Sequence, residues 1–219
     1  NGVAARSLRD SFDRTLVSIV APVMPRYHYN ASADDMEGFR SRQVHEIVLE
    51  LKRLPAGKSA LIVAPSVDET TNLRRRITRC FTSMQHIDFA DTQAFAAFAE
   101  DSSSRAVVHG TKGLSTGVDL PGRIGLVCIT RAFNPVPGGV LEEYETSVIG
   151  ANKDACKDSK LYRRDQTTFQ AAGRLQRCPG DCGIVLVLGE TGTDPKGDYS
   201  AERIRRFWKV DVPIQRPRS

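Results

Sequence analysis

No apolar run in these 219 residues approaches the ~20 that a membrane-spanning helix requires. Leu61–Ala64 and Ile184–Leu188, for example, are four and five residues. Asp10 and Asp13 interrupt the early sequence, so no secretory leader is visible there. Internal repeats and low-complexity tracts are absent. Cysteine is scarce and odd in number (Cys80, Cys128, Cys156, Cys178 and Cys182). Such usage excludes a disulfide framework and implies a reducing compartment, so a cytoplasmic or nuclear location is expected. Cys178 and Cys182 flank Pro-Gly-Asp, but no second Cys/His pair stands near to complete four zinc ligands. Two thiols beside a turn, and no metal, is the reading.

The composition is that of a globular protein, 40% hydrophobic and 26% charged. A chain of this length can bury roughly 70% of its unfolded surface. The net charge of +5 is unevenly placed. Residues 1–159 hold 19 basic and 19 acidic side chains, whereas residues 160–219 hold 12 and 7. The whole surplus lies in the last quarter, which suits a polyanionic partner such as nucleic acid or a nucleotide phosphate. A solvated basic face would carry the same count. A start at Asn1-Gly2 rather than at Met is expected of a piece of a longer protein.

Periodicity gives the architecture. Phe39, Val44, Ile47, Val48, Leu51 and Leu54 recur at helical spacing over Asp34–Leu54, which Pro55-Ala56-Gly57 ends. Ala60–Ala64 is a buried-strand run, and Asp68 to about Met84 is helical, with Leu73, Ile77 and Phe81 on one face. Strands follow at Ile87–Ala90, Ala106–Val108, Ile124–Ile129 and Ile184–Leu188, with helices at Thr92–Glu100 and Leu161–Arg177. The first 30 residues read as irregular, because Pro22 and Pro25 break the apolar stretch Leu16–Val23. Strands alternating with helices imply parallel βαβ units: an α/β fold, a mainly parallel sheet with helices on both faces. One domain over 1–219 is expected, with a loop-rich insertion at about 131–160 and a basic C-terminal tail at about 200–219.

Two segments imitate a nucleotide cradle without being one. Gly57-Lys58-Ser59 matches the end of a phosphate-binding loop, but Lys52 stands at the first glycine position. The tripeptide also follows a helix and opens a strand, the reverse of what a phosphate loop does. Asp68-Glu69 imitates a magnesium-binding pair, yet an acidic first helical turn, favourable with the helix dipole, explains it.

The segments that carry chemistry are Gly110–Gly122 and Gln170–Arg177. The first follows a strand and reads as a glycine-rich loop whose amides beside Thr111 and Lys112 suit a phosphate of a nucleic-acid strand. Its Asp119 suits a ribose or an arginine, or else braces the Leu120-Pro121-Gly122 turn. In the second, Gln170, Arg174 and Arg177 fall at i, i+4 and i+7, one face if the segment is helical. Two guanidiniums a turn apart suit a phosphate, and Gly173 thins the helix where a group must come close.

In this order, the two segments resemble motifs V and VI of superfamily 2 helicases, and most closely the XPD/DinG-like branch. The matching residues are Gly117-Val118-Asp119-Leu120-Pro121-Gly122, Gln170-Ala171-Ala172-Gly173-Arg174-Leu175-Gln176-Arg177 and Asp181-Cys182-Gly183-Ile184-Val185. Ala60–Ala64 with Pro65-Ser66 is similar to motif IV. The likeness spans roughly residues 58–190. It departs at Ser115-Thr116, where many of the branch carry an aromatic–Glu pair, and at Gly189-Glu190-Thr191, where an Asp-x-Arg is usual. Residues 131–160 show no clear match.

The resemblance implies a RecA-like fold and the second half of an ATP-dependent motor that moves on nucleic acid. On that implication Arg174 and Arg177 act as arginine fingers and Gln170 senses the nucleotide. Gly117, Asp119 and Gly173 lie at the ATP, and Ser66, Thr111 and Lys112 grip the strand backbone. ATP and Mg would be held chiefly by a first RecA-like domain of the same protein. Single-stranded nucleic acid, DNA before RNA, is the expected partner, with no membrane. This chain alone is expected to hydrolyse almost no ATP. The branch often carries an iron–sulfur cluster in its first half, for which these cysteines give no basis. The competing reading is a non-catalytic RecA-like module that binds nucleic acid or protein. A self-sufficient kinase is disfavoured by the missing phosphate loop.

Overall fold

The computed structural model describes residues 16–25, 32–131, 133, 143, 147–148, 153–189 and 200–208. Within these residues six strands, all parallel, form one sheet: β1 (Val17–Val20), β2 (Ser59–Val63), β3 (Gln85–Asp88), β4 (Ala106–Gly110), β5 (Ile124–Ile129) and β6 (Gly183–Val187). Their order is β1-β6-β5-β2-β4-β3. The helices are α1 (Ala33–Lys52), α2 (Val67–Cys80), α3 (Thr92–Glu100), α4 (Lys112–Gly117), α5 (Lys153–Ala172) and α6 (Ser200–Trp208).

The side-chain alternation of the strands makes two cores. Ala60, Ile62, Leu126, Cys128 and Leu186 point to a face covered by α1 and α2 through Phe39, Ile47, Leu51, Leu73 and Ile77. Leu61, Val63, Val127, Ile129 and Val185 point to the other, covered by Phe98 of α3, Leu114 of α4, Ala171 of α5 and Ile204 of α6. Burial on both faces is why these strands read as continuous apolar runs. β6 begins at a position only glycine can fill. Gly183 has φ +155°, and a Cβ there would lie 2.3 Å from the Gly125 carbonyl oxygen.

The α/β class and most elements stand as expected; α3 and β5 keep the expected bounds. Four expectations are corrected. Val17–Val20 is a strand, paired in parallel with Gly183–Leu186; Pro22 falls just past its end, where no ladder bond is needed. Residues 153–160, placed in the loop-rich insertion, belong to α5; most of the remaining insertion lies outside the described residues. Helix α5 ends at Ala172 rather than Arg177, in a turn that tightens through Arg174 N–H to Ala171 O and Leu175 N–H to Ala172 O. The basic tail is in part helix α6, with Ala201, Ile204 and Trp208 buried. Its Arg203 pairs with Asp165, and Arg205 and Arg206 pair with Glu202. Residues 209–219 lie outside the described part.

Candidate nucleotide-facing site

The Gly110–Gly122 segment, expected to be a loop, holds a short helix over Lys112–Gly117. Thr111 is the N-cap of α4, and the six-residue helix runs on to Gly117. Phe89 packs closely against two of its glycines. A Cβ on Gly110 would lie 3.0 Å from Phe89 Cβ, and one on Gly117 3.0 Å from Phe89 Cζ. Gly117 therefore makes room for an aromatic ring of this chain. Ser115 and Thr116 turn their hydroxyls back onto the Lys112 and Gly113 carbonyls, at 2.6 and 3.2 Å.

Arg174 meets α4 at its end. Its Nε donates to Ser115 O at 2.7 Å, Nη2 to Thr116 O at 2.7 Å, and Nη1 to Val118 O. A guanidinium is a planar five-donor fork, and here it satisfies carbonyls that the helix end leaves open. Burial lowers the Arg174 pKa, as does repulsion from Arg177, while Asp119 opposes both. Arg177 is different. Its Nε lies 3.7 Å from Asp119 Oδ1, with the side chains 34% and 78% exposed, so this cation remains open to a second anion. Gln170 is exposed on the last turn of α5.

The helical-face argument for Gln170, Arg174 and Arg177 is thus replaced by another geometry. Both arginines stand beyond the helix, in a turn that Asp181 holds. Its carboxylate accepts from the N–H of Arg177 at 2.8 Å and of Cys178 at 2.7 Å. Gly173 also has a local reason, since a Cβ there would meet the Phe169 carbonyl at 3.1 Å.

The three residues expected to grip a strand share the carboxyl edge of the sheet. Val63 of β2 is paired with Gly110 of β4, and Ala64 N–H donates to Gly110 O at 2.9 Å. Ser66 therefore leaves this edge beside Thr111 and Lys112. The Ser66 Oγ caps α2 by accepting from Glu69 N–H at 3.2 Å, and Thr111 makes no side-chain cap bond.

Neither imitation of a nucleotide cradle fits triphosphate or magnesium. Lys58 Nζ donates to Gly122 O at 2.6 Å, and the Ser59 Oγ, fully buried, accepts from Ala106 N–H at 3.2 Å. Glu69 accepts from Thr130 Oγ1 at 2.6 Å and from Arg131 Nε at 2.7 Å. Among the described residues, no three His, Cys, Asp or Glu side chains converge as a metal site would require. None of their helices is long and apolar enough to cross a membrane.

Sequence reasoning missed three arrangements: the Glu69–Thr130–Arg131 group, the Phe89 ring under α4, and Arg123. Arg123 closes the end of α3 by donating to Phe98 O, Ala99 O, Asp101 O and Ser104 O. Its guanidinium carbon also sits 4.4 Å from the Phe98 ring centroid.

By sequence, no family profile and no curated protein matches the chain. By structure, it is similar to an XPD helicase at TM-score 0.63 and 16% identity, over 92% of this chain and 35% of that one. An apo XPD structure gives TM-score 0.62 and 14% identity, over 91% and 40%. T4 UvsW gives TM-score 0.51 and 11% identity, over 93% and 42%. The fold is that of a RecA-like helicase domain. At these identities the likeness is one of fold, and the chain spans less than half the length of each of these proteins. The RecA-like sheet puts Ser66, Thr111 and Lys112 at its carboxyl edge. It puts Arg174, Arg177 and Asp119 where α4 and α5 end.

Proposed function

We propose that this chain is the second RecA-like half of an ATP-driven motor on single-stranded nucleic acid. Arg177 reaches a phosphate of ATP held, with its Mg, on a first half, and Ser66, Thr111 and Lys112 hold the strand backbone. The observation that carries the reading is α4. One end of this short helix bears Thr111 and Lys112; the other is bonded through three carbonyls to Arg174, three residues before Arg177. A shift of the Arg177 turn on meeting a phosphate passes through Arg174 to the strand contacts, the kind of link a two-site motor needs. The two arginines divide the work: Arg177 supplies charge to the transferring phosphoryl group, and Arg174 positions α4. Gln170, Gly117, Asp119 and Gly173 line this turn and shape it. ATP, when bound, supplies the phosphoryl transfer whose energy the motor uses; this chain contributes a cation and a moving strand grip.

The engagement of Arg174 also favours a second reading, a RecA-like module that binds nucleic acid or protein without ATP. A guanidinium that satisfies three carbonyls has a structural reason to be there. Strand-stimulated ATP turnover, by this chain joined to a half bearing a phosphate loop, separates the two. Stimulation supports the motor. Strand binding with no stimulation supports the module.

A further inference from the structure

Helices α1 and α2 pack side by side on one face of the sheet. Their last turns lie at its amino edge: α2 leaves the carboxyl edge at Ser66 and ends at Cys80, and α1 ends just before β2 begins. A groove of about 460 Å³ runs between the C-terminal halves of the two helices. No strand residue lines it, and Lys52, Arg79 and Cys80 on its walls are exposed, so it opens to solvent.

The floor is apolar and reachable. Val48 and Leu49 of α1 are partly exposed in it, and Leu49 belongs to neither buried core. The rim is cationic, and no acidic side chain lines the groove. Arg76 is already held, donating from Nη2 to Glu37 Oε2 at 2.7 Å. Lys52 and Arg79 make no ion pair or hydrogen bond among the described residues. A cation in the last turn suits the helix dipole, but these two also border an apolar surface and carry no counter-charge. From Ser41 to Lys52 the lining follows α1 for about three turns, roughly 16 Å.

We infer that this groove docks an acidic amphipathic helix of a partner protein. The partner's apolar stripe covers Val48 and Leu49, and its carboxylates pair with Lys52 and Arg79. A helix laid along the seam of two others packs a ridge of side chains into the groove between them, with apolar anchors about one turn apart. A nucleic-acid strand would match the cations, but its charged backbone would leave the apolar floor uncovered. Leu114 of α4, Val118 and Leu175 pack on the opposite face of the sheet. A helix bound between α1 and α2 therefore leaves α4, Arg174 and Arg177 clear, and the inference does not depend on the motor reading.

The test is fluorescence anisotropy of the 219-residue chain with a set of labelled helical peptides of about 15 residues, long enough to fill the groove. They carry leucine, methionine or phenylalanine at i, i+4, i+7 and i+11 with glutamates on either side. A matched set has lysine for each glutamate. The acidic set is expected to bind about tenfold more tightly. Leu49→Ala and Arg79→Glu should each weaken the acidic peptides about tenfold. Both variants should melt near wild type, since Leu49 lies outside the cores and Arg79 has no partner to lose. A bound acidic peptide should slow iodoacetamide alkylation of Cys80 and not of Cys182, which is exposed outside the groove. Three results overturn the inference: no binding by any acidic peptide, equal binding of the lysine set, or binding that survives Leu49→Ala with Cys80 unprotected. Displacement of the peptide by an oligothymidylate also overturns it, by giving the groove to nucleic acid.

Discussion

Arg177 and Asp119 face each other across 3.7 Å, joining the turn after α5 to the loop after α4. Three residues earlier, Arg174 closes the same junction from inside, on the carbonyls of Ser115, Thr116 and Val118. An open ion pair and a half-buried fork thus sit side by side, and they respond differently to mutation.

Arg174→Ala removes three hydrogen bonds from a charged donor and leaves the end of α4 unsatisfied. A loss of about 1.5–3 kcal/mol in unfolding free energy is expected. Arg174→Lys should recover little of it, since an ammonium cannot reproduce the fork. Arg177→Ala loses only an exposed pair and should stay within about 1 kcal/mol of wild type. Urea denaturation of the three variants checks this. Equal destabilisation by Arg174→Ala and Arg177→Ala would contradict the division of roles.

Gly183→Ala should be among the most damaging single changes in the chain. Its Cβ would lie 2.3 Å from the Gly125 carbonyl oxygen, at a backbone conformation L residues rarely adopt. The β5–β6 ladder must open to admit it, and soluble yield and melting temperature should both fall sharply. Gly117→Ala is milder, because the Phe89 ring at 3.0 Å can tilt. Thermal melts that rank the two in the opposite order would refute the packing described.

How much of this was legible in the sequence varies with the range of the interaction. Strand β5 and helix α3 were readable because local apolar pattern and propensity agree there. The end of α5 was not. Helical spacing continues through Gln170, Arg174 and Arg177 after the backbone has left the helix, and nothing local reveals that Arg174 reaches carbonyls 56–59 residues away. Strand β1 is four residues long and close to two prolines; its pairing with β6 is a tertiary fact. The glycines of Gly110–Gly117 were legible as a need for closeness, but the group that comes close, Phe89, sits over 20 residues earlier in the chain. Glu69 likewise meets Thr130 and Arg131 only because β2 and β5 are neighbours.

His86 and His109 give the fold an acid limit. Their Nδ1 and Nε2 atoms are 3.0 Å apart, and His86 Nε2 lies 2.7 Å from Phe81 O. Burial, with the His86 and Arg74 charges beside it, pushes His109 down to about 3, and burial also lowers His86. Both are held neutral when folded, so the unfolded chain binds more protons once the pH drops below about 6.5. Their contribution to stability is full above that pH and is lost as the pH falls towards about 3. His109→Gln should flatten the slope of unfolding free energy against pH between 4 and 6 by about one proton's worth. An unchanged slope would rule the pair out as its source.

Lys112→Ala should weaken strand binding without regard to sequence and reduce the dependence of log affinity on log salt by about one. Titrations at several salt concentrations measure this. An unchanged slope would remove Lys112 from the strand path.

The central claim is that Arg177 acts on a nucleotide held by another domain. Single-strand-stimulated ATP hydrolysis, by the motor that joins this chain to a half bearing a phosphate loop, tests it directly when measured intact and as Arg177→Ala. The account expects a fall of about 10³–10⁵ in turnover with strand binding retained, and almost no hydrolysis by the 219-residue chain alone. Equal turnover in the intact and mutant motors would contradict it, as would sustained hydrolysis by the chain alone.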